Sequence, residues 1–205
     1  MQLLTYPIIG RDLTTDADFM DLALRIAVDA GTRGEVPIGA VVVHEGEVVA
    51  FAANRRERDQ DPTGHAEVLA LRQAGRRLGS WRLNDCTMFV TLEPCPMCMG
   101  AALNARLGRL AFACRDPKAG AAVSLFALGN DDRLNHRLIV SEGVRREQAS
   151  ALLSQFFAGL RNPEPADAKA QSLHRLFHGS PIAVASVELR AEARLAEVNP
   201  GAEAA

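Results

Sequence analysis

Cys86-Thr87-Met88-Phe89-Val90-Thr91-Leu92-Glu93-Pro94-Cys95-Pro96-Met97-Cys98 decides the fold. Cys86 to Leu92 is a short apolar run of strand length, and a helical stretch from Met97 to Leu107 follows it almost directly. Pro96 fits the first helical position, where no N–H is needed. A strand therefore passes straight into a helix, with Cys95 and Cys98 at the helix start. Alone, C-x-x-C is shared by redox motifs, zinc ribbons and haem sites, so its neighbours have to decide its use.

Upstream, Asp61-Pro62-Thr63 is a turn and cap signal that opens a helix apolar at Val68, Leu69, Leu71 and Leu78 and stopped by Gly79. This predicts His65 and Glu67 in its first turn. Ile38 to Val43 and Val48 to Ala53 are β-branched or small and apolar, and His44-Glu45-Gly46-Glu47 between them reads as a hairpin. Thr15-Asp16-Ala17-Asp18 has capping-box spacing, after which Phe19, Leu22, Ala23, Ile26, Ala27 and Ala30 recur at helical spacing until Gly31. Downstream, Leu110 to Cys114 and His136 to Val140 read as strands, and Val144 to Leu160 as a final amphipathic helix. The order α-β-β-α-β-α-β-β-α implies an α/β domain of three layers, α-β-α, with helices on both faces of a five-stranded mixed sheet.

With 205 residues and 48% hydrophobic content, the chain supports one full core. Three segments are expected: an N-terminal extension (1–16), the catalytic domain (17–161) and a C-terminal appendage (162–205), poorly ordered, that begins where Asn162-Pro163-Glu164-Pro165 breaks the last helix. Within the appendage, Pro181 to Ala196 reads equally as helix or strand. No apolar run of roughly eighteen residues appears, and the N-terminus lacks the basic-then-apolar pattern of a signal peptide, so a soluble cytoplasmic protein is expected. The net charge of −2 excludes a global field that attracts phosphates; binding of nucleic acid would need a local basic patch. Four cysteines, two of them in one C-x-x-C, favour metal or redox use over disulfides.

His65-Ala66-Glu67 tips the balance toward metal. Residues three apart share a helix face, so Cys95 and Cys98 can chelate one ion while the helix N-terminus stabilises both thiolates. With His65 they form a soft tetrahedral set suited to Zn²⁺, with one position left over. Cys86, Cys114 and His136 are the side chains available to close it; buried strand positions for the cysteines and a strand end for His136 are the competing readings. An acidic residue such as Glu67 is common in a first helical turn simply because the dipole favours it. A zinc site already neutralised by two thiolates nevertheless needs a separate proton carrier, and Glu67 is the nearest candidate.

His65-Ala66-Glu67 with Pro94-Cys95-Pro96-Met97-Cys98 resembles the signature of the cytidine deaminase superfamily, a pattern with a known base-flipping, zinc-assisted chemistry. Within it, Glu35-Val36-Pro37-Ile38-Gly39-Ala40-Val41, Asp61 to Glu67, Thr91 to Cys98, Arg115-Asp116-Pro117-Lys118-Ala119-Gly120-Ala121 and Leu134-Asn135-His136-Arg137 are similar to the bacterial tRNA-specific adenosine deaminases. The resemblance spans about residues 17–161 and implies a cytidine-deaminase-like fold, one zinc per subunit and a homodimer. It also implies hydrolysis of the wobble adenosine of a tRNA anticodon loop to inosine, with Glu67 carrying the proton and His65, Cys95 and Cys98 holding the metal. By the same resemblance Asn54 contacts the flipped nucleoside, Ala66 and Leu92 line the base pocket, and Asp116 holds the loop backbone. Phe156 and Phe157 match positions near the flanking nucleotides, although both also fall on the apolar stripe of the last helix.

Two departures stand out: Gly64 replaces the alanine usual in the family, and the end of the last helix is less basic. Arg55, Arg56 and Arg58, with Arg115 and Lys118, form two clusters expected to rim the pocket or to be solvated loop residues. Two other readings compete: a deaminase of free guanine, cytosine or a pterin-like base, and a non-catalytic RNA-binding subunit stapled by zinc. Loss of the proton carrier would mark the latter, and Glu67 is present.

Overall fold

A computed structural model describes residues 13–161 and Leu173. Strands β1 (Gly39–His44), β2 (Glu47–Ala53), β3 (Cys86–Leu92), β4 (Arg109–Cys114) and β5 (Ile139–Glu142) form one sheet in the order β2-β1-β3-β4-β5. β1 runs antiparallel to both β2 and β3, whereas β3, β4 and β5 are parallel. The inner strands are apolar on both faces because both faces are covered. Met88, Val90, Leu110 and Phe112 point to one cluster; Val41, Phe89, Ala111 and Ala113 point to the other.

Helix α1 (Asp16–Thr32) and helix α5 (Arg146–Arg161) cover the second face. The capping box forms as expected, with Thr15 accepting from the Asp18 N–H and Asp18 reaching back. Phe19 of α1 lies 5.2 Å from Phe89, centroid to centroid. The α1 and β4 ends are fastened by Arg109 to Asp16, and α1 to the start of α5 by Arg145 to Asp21 at 2.7 Å. On the first face lie α3 (Ala66–Leu78) and α4 (Pro96–Asn104), which touch each other.

Four details differ from the sequence reading. A four-residue helix, α2 (Arg56–Asp59), follows β2. Helix α3 starts at Ala66, so His65 is its N-cap and not a first-turn residue. The Asp61 carboxylate, expected to open that helix, instead closes a local turn by accepting from the Thr63 N–H (2.8 Å) and hydroxyl (2.7 Å). Finally, β5 begins at Ile139, because His136 Nε2 is engaged with the Leu107 carbonyl at 2.8 Å before the strand pairs. The expected appendage, 162–205, lies outside the described residues except for Leu173, and the N-terminal extension outside them up to residue 12. Among the described residues no helix is long and apolar enough to cross a membrane.

Candidate active site

Two helices begin at the same place. His65 is the N-cap of α3 and Cys95 the N-cap of α4, and neither side chain makes a capping hydrogen bond. Their backbone carbonyls still start the helices, to Leu69 N–H (3.1 Å) and Met99 N–H (2.9 Å). The imidazole and the thiol are therefore free to face each other. Pro96 occupies the first turn of α4, as the sequence predicts.

His65 Nδ1 lies 3.7 Å from Cys95 Sγ and 3.5 Å from Cys98 Sγ, and the two sulfurs are 3.6 Å apart. A tetrahedral zinc with its usual bond lengths needs edges of about 3.6 Å between nitrogen and sulfur and about 3.8 Å between sulfurs. The triangle present fits that ion. Among the described residues, His65, Cys95 and Cys98 are the side chains grouped closely enough to share a metal. Cys86 and Cys114 are buried on opposite faces of the sheet and His136 is committed to Leu107, so none of them joins the group.

The thiols are strongly coupled. A hydrogen bond shared with Cys98, together with His65, brings Cys95 down to about 4 against the opposing effect of burial. The same pairing and burial push Cys98 up. Hydrogen bonding to Cys95 raises His65. Glu67 is buried, one helical residue beyond Ala66, and its carboxylate interacts with the Cys98 thiol. Burial raises its affinity for a proton, and Oε2 has no hydrogen-bond partner. A buried, unpartnered carboxylate oxygen beside a metal triangle is what a proton carrier requires.

Asn54 joins the same place through the backbone. The Arg55 N–H donates to the Gly64 carbonyl at 2.9 Å, which sets Asn54 and His65, the residues beside that bond, next to each other. The buried Asn54 donates its Nδ2 to Glu35 Oε2 at 3.1 Å. Glu35 also accepts from the N–H groups of Glu57 (3.3 Å) and Arg58 (2.7 Å), and so caps α2 while orienting Asn54.

Residues 14–161 match the family described as MafB19-like deaminase. The chain is 43% identical to the tRNA-specific adenosine deaminase of Bacillus subtilis (strain 168), across 77% of this chain and 98% of the relative. It is 46% identical to the tRNA-specific adenosine deaminase of Aquifex aeolicus (strain VF5), across 70% and 95% respectively. Among solved structures it is similar to a tRNA:A34 deaminase of A-to-I editing at the wobble position, with 41% identity and a TM-score of 0.63, covering 65% of this chain and 96% of that one. The chain belongs to the tRNA-specific adenosine deaminase family.

The remaining expected site residues of this deaminase are placed as follows. Ala66 is fully buried in the cluster on the α3/α4 side, and Leu92 is half-buried against the α1/α5 side. The Asp116 carboxylate accepts from the N–H groups of Lys118 (2.9 Å) and Ala119 (3.2 Å), holding the turn after β4. On α5, Phe156 is core while Phe157 is 42% exposed, and the two rings meet edge-on at 5.5 Å. The basic clusters are largely self-neutralised: Arg55 pairs with Asp59 (2.8 Å), Arg56 with Glu57 (3.4 Å) and Arg115 with Glu142 (2.7 Å).

The sequence reading gave no role to Glu35 or to Glu93. Buried Glu93 accepts from the N–H groups of Asp116 (3.0 Å), Ala122 (3.1 Å), Val123 (2.7 Å) and Ser124 (2.8 Å) and from the Ser124 hydroxyl. It therefore gathers the whole loop after β4 beside Cys95. Burial alone would raise Glu93, but the hydrogen bonds from Ser124, Val123 and Asp116 hold its carboxyl below the ordinary glutamate range. An acid between an apolar strand and Pro94 was the available signal.

Proposed function

We propose that the chain hydrolyses the wobble adenosine of a tRNA anticodon loop to inosine and ammonia, with zinc held by His65 Nδ1, Cys95 Sγ and Cys98 Sγ. The observation that carries this reading is the buried Glu67 carboxylate, unpartnered at Oε2, beside a ligand triangle of tetrahedral edge length. Zinc bound there supplies a Lewis acid that lowers the pKa of a water to about 7. With the metal in place, Glu67 would take one proton of the attacking water at its carboxylate and deliver it to ring N1 of adenine; the water oxygen adds to C6, and its second proton leaves with the amine as ammonia. Asn54, oriented by Glu35, holds the extruded nucleoside. Half-buried Leu92 lines the base pocket and fully buried Ala66 backs it from the α3/α4 side, Asp116 keeps the loop backbone in place, and Phe157 offers an exposed ring to a flanking nucleotide. The enzyme acts in the cytoplasm as a homodimer; the exposed Val123, Leu125 and Phe126 of the loop gathered by Glu93 give a partner subunit an apolar surface beside the site.

The test is mass spectrometry of purified tRNA after incubation with the protein, where the first anticodon base gains about one dalton. Glu67→Ala retains its metal, measured by inductively coupled plasma spectrometry, and loses deamination; Cys95→Ser loses both. A Glu67→Ala protein that still converts an anticodon stem-loop contradicts the assignment, and ammonia release from free bases but not from tRNA contradicts the substrate.

A further inference from the structure

We infer that Leu173, beyond the end of the catalytic fold, is a positioning residue for Asn54, acting through the segment that carries Glu35. The inference rests on the proposal above that Asn54 holds the nucleoside. Leu173 is 1% exposed and belongs to the cluster on the α1/α5 side of the sheet. It covers Gly31: a Cβ built there would lie 3.1 Å from Leu173 Cδ1, 3.3 Å from Pro37 Cβ and 3.8 Å from Phe156 Cδ2. Three side chains thus close over a glycine that has no side chain of its own, and one of them comes from beyond α5.

Gly31 and Pro37 bracket Glu35. Short-range bonds hold the connection between α1 and β1, from Arg33 N–H to Ala30, from Gly34 N–H to Gly31, from Glu35 N–H to Ala30 and from Ile38 N–H to Val36. Its cross-chain anchors are the Asn54 N–H to the Ile38 carbonyl and the Glu35 carboxylate, which accepts from Asn54, Glu57 and Arg58. Anything that lets Pro37 move therefore moves the carboxylate that aims Asn54. Leu173 is the clamp on that movement, since its Cδ1 and Pro37 Cβ both close on the place where a side chain of Gly31 would stand, at the end of α1. A core leucine of no further consequence would stabilise the fold equally; its removal, however, would not act selectively through Asn54.

The experiment uses the full-length, metal-loaded chain. Leu173→Ala is compared with wild type for metal content, thermal midpoint, kcat and KM on an anticodon stem-loop, and amide hydrogen exchange at Glu57 and Arg58. Leu173→Met serves as the conservative variant, and Leu173→Val replaces the alanine should that protein fail to fold. Expected are full metal, a KM raised about tenfold with kcat less affected, rescue by Met, and faster exchange at Glu57 and Arg58. In an Asn54→Ala background, Leu173→Ala adds less than about twofold, because its effect has already been lost. Unchanged exchange at Glu57 and Arg58, a lowered midpoint with normal KM, or a full tenfold loss on top of Asn54→Ala overturns the inference. Failure of the wild-type protein to convert the stem-loop sinks the substrate proposal instead, and the exchange result still decides whether Leu173 clamps the Glu35 segment.

Discussion

Glu67 is expensive to keep where it is. A carboxylate with Oε2 buried and unpartnered lacks the hydration it has in the unfolded chain, and its contact with the Cys98 thiol replaces only part of it. Glu67→Gln keeps the shape and removes the charge, so the metal-free variant is expected to be about 1 kcal/mol more stable than metal-free wild type, read as a higher thermal midpoint, while activity is abolished. An unchanged or lower midpoint would mean that the contact with the Cys98 thiol outweighs the cost of burial. The residue itself was legible before any coordinates, because His65-Ala66-Glu67 and Cys95-Pro96-Met97-Cys98 are local patterns whose spacing translates into shared position at helix starts. Glu35 and Glu93 were not legible for the complementary reason. Most of their partners are backbone N–H groups 22 to 31 positions away, and a backbone donor carries no residue identity that a sequence can display, so the acid before Pro94 was visible while its role was not.

At the scale of elements, apolar runs and helical periodicity located strands β1 to β4 and the four long helices, since each buries a face; β5, with no buried residue, overlaps its expected range only at Ile139 and Val140. The hairpin fixed β1 against β2, but the direction of the other pairings was open, because a doubly covered strand reads the same in either sense; the antiparallel pairing of β1 with β3 and the parallel β4 and β5 come from tertiary packing. The helix α2 was missed because none of its residues is buried and its N-terminal donors are satisfied by distant Glu35. The loop after β4 depends in the same way on Glu93. Its lowered carboxyl means that the stabilisation is present above the ordinary value of 4.5 and disappears as pH falls through the lower folded value. Glu93→Gln is expected to cost about 3 kcal/mol near neutrality, with the difference from wild type shrinking below about pH 4, as read from denaturant midpoints across pH. Gly120→Ala should reproduce the neutral-pH loss, because its Cβ would lie 2.3 Å from Glu93 Oε2. A pH-independent penalty for Glu93→Gln would assign the effect to packing.

Over the whole molecule the net charge is −2, so a polyanion meets no favourable average field and must find a local one. The arginines expected to rim the site do not provide it freely: Arg55, Arg56 and Arg115 each face a carboxylate. Positive charge without an acidic partner among the described residues collects instead at the far end of α3, where Arg76 and Arg77 occupy the last turn and Arg82 lies 4.2 Å over the exposed ring of Trp81. Two arginines at a helix C-terminus also complement its dipole, a structural role of about 0.3–1 kcal/mol. Salt separates the two roles, because a phosphate contact releases counterions and a dipole contact does not. Substituting Arg76→Glu together with Arg77→Glu is expected to weaken tRNA binding and to flatten the slope of log affinity against log salt by about 1 to 2, measured by anisotropy between about 50 and 200 mM salt. Arg115→Ala, which breaks a pair already neutral, should leave that slope nearly unchanged. A doubly substituted protein that keeps the wild-type slope would place the path of the phosphates away from α3 and return the two arginines to the helix they terminate.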